Sequence, residues 1–222
     1  MKIFLDTAVV EEIREAAGWG ILDGVTTNPS LAAKAGGSFK DNIIEICELV
    51  DGPVSAETVS LTADEIVREA RLVCSWHPNV VAKIPCLPEG LKATHALRAD
   101  PNVRVNMTLV FSANQGLLAA RAGADFVSPF IGRLDDAGHE GMELIRELTA
   151  ILDIFGLESE VITASVRHPR HVVEAALAGS HIATVPYKVL KSMIKHPLTD
   201  IGLARFLEDW EKVPGHDTIL KG

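Results

Sequence analysis

The segment Ala119-Ala-Arg-Ala-Gly-Ala-Asp-Phe126 is answered later in the chain by Ala175-Ala-Leu-Ala-Gly-Ser-His-Ile182. Both read as a small-faced helix, a glycine (Gly123, Gly179) able to take the left-handed conformation that ends it, and then a strand at once. A pattern that recurs in this form is a repeated β-α unit. Working outward, short β-branched or apolar runs alternate with longer stretches of helical period: Lys2–Leu5, Gly24–Thr27, Val54–Thr58, Val80–Ile84, Val103–Leu109, Asp125–Val127, Val161–Ala164 and Ile182–Val185. Their starts lie about 20–35 residues apart, the spacing of β-α units rather than of hairpins, which implies a parallel sheet. Eight such strands predict an α/β chain folded as a (β/α)8 TIM barrel. Thr62-x-x-Glu65 and Ser112-x-x-Gln115 read as capping boxes, and Pro169 stands where a first helical turn tolerates a missing N–H.

The chain has 222 residues, 47% apolar and 23% charged. This suits one barrel domain over residues 1–222, with no linker or low-complexity segment to divide it. A further helix is expected over about residues 200–211, followed by a polar tail from 214 to 222. That helix carries Ile201, Leu203, Phe206, Leu207 and Trp210, and is expected to pack on the barrel or, failing that, on a neighbouring subunit. Trp19, Trp76 and Trp210 read as packing residues away from the barrel mouth.

A net charge of −9 without a basic stripe argues against nucleic acid as partner. An anionic metabolite is still possible if a few arginines converge locally. Cys47, Cys74 and Cys86 form no CxxC pair and suggest neither a disulfide framework nor a zinc site. The amino terminus runs straight into a strand and no apolar run reaches about 18 residues, so a cytoplasmic protein with no membrane contact is expected. No Gly-rich dinucleotide motif or P-loop is present.

In a barrel of this kind the chemistry sits at the C-terminal ends of the strands. The polar residues there are Asp6, Thr26 with Asn28, Glu57, Lys83, Asn106 with Thr108, Ser128 with Arg133, and Ser165 with Arg167; the last strand supplies none. Lys83 is the most informative. Within Val-Val-Ala-Lys-Ile-Pro, period-two alternation sets it on the face opposite Ala82 and Ile84, pointing into the barrel. An unpartnered buried ammonium is driven toward the neutral amine, which can attack a ketone; the protonated imine then weakens the neighbouring carbon–carbon bond. Asp6 and Glu57 give proton transfer and water activation beside it, although a stabilising ion pair is the plainer alternative. Arg133, Ser165 and Arg167 read as a phosphate clamp, aided by the helix start near Pro169. Arg133 has a competing use as a surface bridge to Asp135 or Asp136. His168 and His171 are expected to face solvent, with no carboxylate or cysteine at metal-ligand spacing.

These residues resemble the small transaldolase group. The likeness runs from about Met1 to about Trp210 and rests on Phe4-Leu-Asp-Thr7, Gly24-Val-Thr-Thr-Asn-Pro-Ser30, Lys83-Ile-Pro with Glu89-Gly-Leu-Lys-Ala93, Asn106-Met-Thr-Leu-Val-Phe-Ser112, Ser128-Pro-Phe-Ile-Gly-Arg-Leu-Asp-Asp136 and Ala164-Ser-Val-Arg167. The resemblance implies an imine on Lys83 with a ketose phosphate, proton transfer by Asp6, and a catalytic water held by Glu57 and Thr108. It further implies substrate hydroxyls on Asn28 and Asn106, phosphate on Arg133, Ser165 and Arg167, and a homo-oligomer, either pentamer or decamer. The family moves a dihydroxyacetone unit from sedoheptulose 7-phosphate or fructose 6-phosphate to an aldose phosphate without a cofactor, so the resemblance implies that no cofactor is expected. Fructose-6-phosphate aldolases, which release free dihydroxyacetone, typically carry Gln and Tyr where this chain has Glu57 and Phe130, so transfer is expected over release. Cys86, Pro88 and Thr163 depart from the family pattern. Two other readings remain: a silent sugar-phosphate-binding module, against which intact Lys83, Asp6 and Glu57 speak, and a metal-dependent aldolase, for which the strand ends lack histidine.

Overall fold

A computed structural model describes residues 1–218. Eight strands, Lys2–Asp6 (β1), Gly24–Thr26 (β2), Val54–Glu57 (β3), Val80–Pro85 (β4), Val105–Val110 (β5), Phe126–Pro129 (β6), Glu160–Thr163 (β7) and Ile182–Val185 (β8), form one closed parallel barrel in chain order, with β8 pairing back onto β1. All eight segments expected from the sequence are strands, with boundaries moved by at most two residues. The helices are Val10–Ala17 (α1), Pro29–Ala35 (α2), Phe39–Leu49 (α3), Ala63–Cys74 (α4), Pro88–Leu97 (α5), Ala113–Ala122 (α6), Ile131–Asp136 (α7), Gly141–Phe155 (α8), Pro169–Leu177 (α9), Tyr187–Ile194 (α10) and Pro197–Trp210 (α11).

The period-two alternation of the strands divides the core into two clusters. Leu5, Val25, Ala56, Ala82, Ile84, Met107, Val127 and Ala183 point outward and pack with the apolar stripes of the helices. The opposite parity fills the barrel interior, where Phe4, Val81, Phe126, Ile162 and Ile182 form a separate apolar plug. The plug explains Gly24: a Cβ there would lie 2.6 Å from the Phe4 ring and 2.7 Å from the Pro53 carbonyl oxygen. The phenyl group takes the space that a side chain on β2 would need.

Helix ends follow the sequence with one revision. Gly123 closes α6 in the left-handed conformation, φ 100°, and Gly179 after α9 has φ 77°. Ser112 caps α6 through the Gln115 N–H, while the Gln115 side chain accepts from Phe111 N–H one residue earlier than a full box requires. Thr62 stands at the N-cap of α4, but its hydroxyl donates to the Glu65 carboxylate at 2.7 Å and makes no backbone cap. A charged acceptor outcompetes the weaker exchange with a backbone amide.

The chain comprises two compact units, Met1–Leu190 with the whole barrel and a second from Lys191 onward. In the second, α11 starts at Pro197, three residues ahead of expectation, with His196 as its cap. None of its residues is buried; Phe206 is 72% exposed, and Leu198, Ile201, Leu203 and Leu207 are similarly open. Trp210, 39% exposed, is not a core residue. Residues 219–222 of the expected polar tail lie outside the described residues.

Candidate active site

The inward parity that fills the plug continues two residues further along each strand with polar side chains. Asp6 follows Phe4, Thr26 follows Gly24, Lys83 follows Val81, Ser128 follows Phe126, and Thr184 follows Ile182. Most of these surround a cavity of about 310 Å³ at the C-terminal strand ends, whose wall includes Asp6, Thr26, Asn28, Lys83, Ser128 and Phe130. Arg133, Ser165 and Arg167 also line it, together with Ser30, Lys34 and Thr184. Its size is at the low end for small-molecule sites. Two larger hollows, of about 640 and 630 Å³, lie around the strand starts at Val80, Val103 and Phe126, away from the strand-end polar groups.

Lys83 is the centre of the arrangement. Its side chain is 4% exposed, and the ammonium lies 3.1 Å from Glu57 Oε2, itself 14% exposed. It also donates to the Thr27 carbonyl at 2.9 Å. The parallel pairing of β3 with β4 sets Glu57 directly opposite Lys83, so the contact follows from register. Lys83 is thus not the unpartnered amine of the sequence reading: a carboxylate stands ready to receive its proton.

Asp6 is held differently. Its Oδ1 accepts from the Thr26 hydroxyl at 2.8 Å, and Thr26 in turn lies 2.6 Å from the Thr184 hydroxyl. A hydroxyl has one proton, so with Thr26 donating to Asp6, Thr184 donates to Thr26. Burial pushes the Asp6 carboxyl above its ordinary range, against the opposing pull of the Lys83 ammonium and the Thr26 bond. A carboxyl in that condition can both take and return a proton. The eighth strand therefore does contribute, through Thr184. The only trace in Ile182-Ala-Thr-Val185 was a hydroxyl at an inward position.

Asn106, Glu57 and Thr108 do not form part of the cavity wall. Asn106 is fixed from both sides: Nδ2 donates to Ser55 at 3.1 Å and Oδ1 accepts from Ser128 at 2.7 Å. Ser55 was not anticipated from the sequence. Thr108 is buried, and its hydroxyl is the single buried side-chain polar atom among the described residues without a partner. It lies where the β5–β6 register shifts and Leu109 takes φ 57°, a strained conformation for a branched side chain. Asn28 caps α2 by accepting from Leu31 N–H at 3.0 Å.

Among the described residues Arg133 carries no ion pair; its guanidinium lies over the Phe130 ring, 5.0 Å from the centroid. The bridge expected of Arg133 belongs to Arg167, which meets Asp136 at 2.5 Å. Asp135 instead faces His171 at 3.1 Å. His171 is 5% exposed, which overturns its assignment to the solvent face; only His168 remains exposed, its ring 3.8 Å from that of His171. Burial, and next the His168 ring, hold His171 below its ordinary pKa. Among the described residues no group of three or more His, Cys, Asp or Glu side chains is placed to hold a metal ion. Of the family departures, Thr163 bonds to Ser180 and Pro88 opens α5.

A closed parallel barrel with a carboxylate-paired lysine toward the C-terminal ends of its strands sets a potential nucleophile where enzymes of this fold hold their reactive groups. Residues 3–216 match the Transaldolase/Fructose-6-phosphate aldolase family. A protein of Herpetosiphon aurantiacus named "Probable transaldolase" is 58% identical over 220 residues, covering 99% of each chain. One of Alkaliphilus metalliredigens with the same name is 61% identical over 211 residues, 95% of this chain and 98% of that one. A third, of Aquifex aeolicus, is 60% identical over 96% of this chain and 98% of its own. A mandelate oxidase structure aligns with TM-score 0.56 over 84% of this chain and 64% of its own at 14% identity, a likeness of fold alone. The chain belongs to the transaldolase/fructose-6-phosphate aldolase family.

Proposed function

We propose that the protein is a transaldolase that moves a dihydroxyacetone unit between sugar phosphates through an imine on Lys83. The observation that carries this reading is the buried Lys83 amine, 3.1 Å from Glu57, in a cavity that also holds Asp6 and two arginines. Glu57 takes the amine proton and Lys83 Nζ attacks the ketose carbonyl at C2. Water leaves, and the iminium draws electrons from the C3–C4 bond as Asp6 removes the C4 hydroxyl proton. The aldose phosphate departs, leaving a three-carbon enamine. That enamine attacks the aldehyde carbon of the acceptor, Asp6 returns the proton, and water hydrolyses the new iminium. Thr108, with its unpartnered hydroxyl beside β4, suits the water of these steps.

Asn28, Asn106, Ser128 and Thr26 serve the hydroxyl groups of the substrate, directly or by holding a neighbour. Arg133, Ser165 and Arg167 serve its phosphate; Arg167 exchanges Asp136 for that ligand. Phe130 favours transfer over release: its ring centroid is 5.9 Å from Lys83 Nζ and offers no proton donor to quench the enamine. The open apolar residues of α11 support a homo-oligomer, since an exposed patch of that kind marks an interface. No helix among the described residues is long and apolar enough to cross a membrane, and a cytoplasmic setting suits a sugar-phosphate enzyme.

Borohydride reduction in the presence of fructose 6-phosphate, followed by peptide mass mapping, tests the reading. A three-carbon adduct on Lys83 is expected. Label on another residue, or none, would refute the mechanism; free dihydroxyacetone formed as fast as transfer product would favour the aldolase.

A further inference from the structure

The strip Ser165–Arg167 must be held in place by something other than its own preference. Ser165 adopts φ 61°, a left-handed conformation that is unfavourable for a non-glycine residue. α7 packs tightly against it: Ile131 N–H donates to the Ala164 carbonyl at 3.1 Å, and a Cβ on Gly132 would lie 2.0 Å from the Ser165 oxygen. The Arg167 side chain is 47% exposed and among the described residues pairs with an exposed carboxylate, a poor anchor for its own backbone.

The backbone is fixed from behind. Arg167 N–H donates to His171 Nδ1 at 3.2 Å. With Nδ1 accepting, the ring proton sits on Nε2, which faces Asp135 Oδ2 at 3.1 Å. Asp135 Oδ1 accepts from Gly141 N–H at 2.8 Å, the first residue of α8. The chain of bonds therefore runs from the strip through α9 and α7 to the start of α8. It needs a neutral imidazole, in keeping with the burial of His171.

We propose that His171, oriented by Asp135, is a positioning residue that holds the Ser165–Arg167 strip in the geometry that receives the substrate's phosphate. The proposal rests on the transaldolase reading. Its consequence is specificity: loss of the His171 bond relaxes the strip and weakens binding of phosphorylated sugars, while chemistry at Lys83 continues.

Steady-state kinetics of three variants tests this. His171→Phe should raise KM for fructose 6-phosphate about tenfold with kcat within about twofold. It should lower the preference for glyceraldehyde 3-phosphate over glyceraldehyde as acceptor by a similar factor. His171→Asn, whose amide oxygen falls where Nδ1 was, should restore most of the loss. His171→Gln, which reaches Asp135 but leaves the Arg167 N–H unmet, should not. Unchanged phosphate preference in His171→Phe, or equal losses on both acceptors, overturns the proposal. Should the Phe variant fail to fold, the comparison of Asn with Gln decides, and equal behaviour of those two also overturns it. Absence of a Lys83 adduct in the unmodified protein sinks the transaldolase reading itself; an adduct together with an unmoved phosphate preference sinks the role of His171 alone.

Discussion

Removing the carboxylate of Glu57 leaves the buried Lys83 ammonium without its ion-pair partner, with the Thr27 carbonyl as hydrogen-bond acceptor and Asp6 as the remaining nearby carboxyl. At the 3.1 Å separation of this pair, Coulomb attraction at an effective dielectric of about 20 is roughly 5 kcal/mol before desolvation. The cost of burying two charges cancels much of that, so the measurable coupling is expected at about 2–3 kcal/mol. A double-mutant cycle of Glu57→Gln and Lys83→Met isolates it. Each single change should lower the urea-unfolding free energy, the first by stranding an ammonium and the second by stranding a carboxylate. The double variant should lose clearly less than the two combined. Unfolding must be compared at one protomer concentration, because any self-association would add to apparent stability. Losses that add to within about 0.5 kcal/mol would refute the buried pair. They would also remove Glu57 as the group that takes the amine proton.

Thr184→Val keeps the shape of the side chain but removes the hydroxyl that donates to Thr26. It should reduce kcat several-fold with KM for fructose 6-phosphate little changed, and unaltered kcat would detach Thr184 from the support of Asp6. Acid and base shifts carry opposite signs. The Asp6 carboxyl is raised from 3.8 by burial, so its contribution to stability is present below that value and is lost as pH rises through its folded pKa. Asp6→Asn should therefore be more stable than the parent at pH 7 though inactive, and a lower melting temperature there would contradict the shift. His171, lowered from 6.5 by burial, contributes stability above that value and loses it as pH falls through its folded pKa. His171→Asn should flatten the acid side of the stability profile.

Legibility in the sequence followed the physical origin of each feature. The strands were readable because alternation is local, and Lys83 because an ammonium in an apolar strand has no ordinary use. Glu57 as its partner needed register, since the two meet only when β3 and β4 pair at those positions. Thr184 stayed hidden because threonine is a good strand former in its own right; its hydroxyl acquires meaning only beside Thr26. His171 was misread because a His-x-x-His at a helix start resembles a solvent face. What buries it is α7, whose Asp135 lies far away in sequence. The apolar residues of α11 were legible as a stripe, and they are exposed among the described residues.

The interior of the barrel joins stability to chemistry through one rule of geometry. Side chains two apart on a strand share a face, so each plug residue addresses the position above it: Phe4 carries Asp6, Val81 carries Lys83, Phe126 carries Ser128 and Ile182 carries Thr184. Below the Lys83–Glu57 contact the apolar plug is joined on β3 and β5 by Ser55 and Asn106, whose polar groups are satisfied by each other and by Ser128. The same arrangement confines the site's strain to the outer strand ends, where Leu109 and Ser165 are the non-glycine residues with positive φ among those described. Leu109 follows Thr108, and Ser165 opens the strip proposed to receive the phosphate. Strain is thus stored where groups must be aimed at a substrate, and the His171–Asp135 bonds offset it at the second of these places. A change in the plug, such as Gly24→Ala against Phe4, would consequently disturb Asp6 and the fold together. Changes behind the strip should leave the imine intact and alter only which substrates reach it.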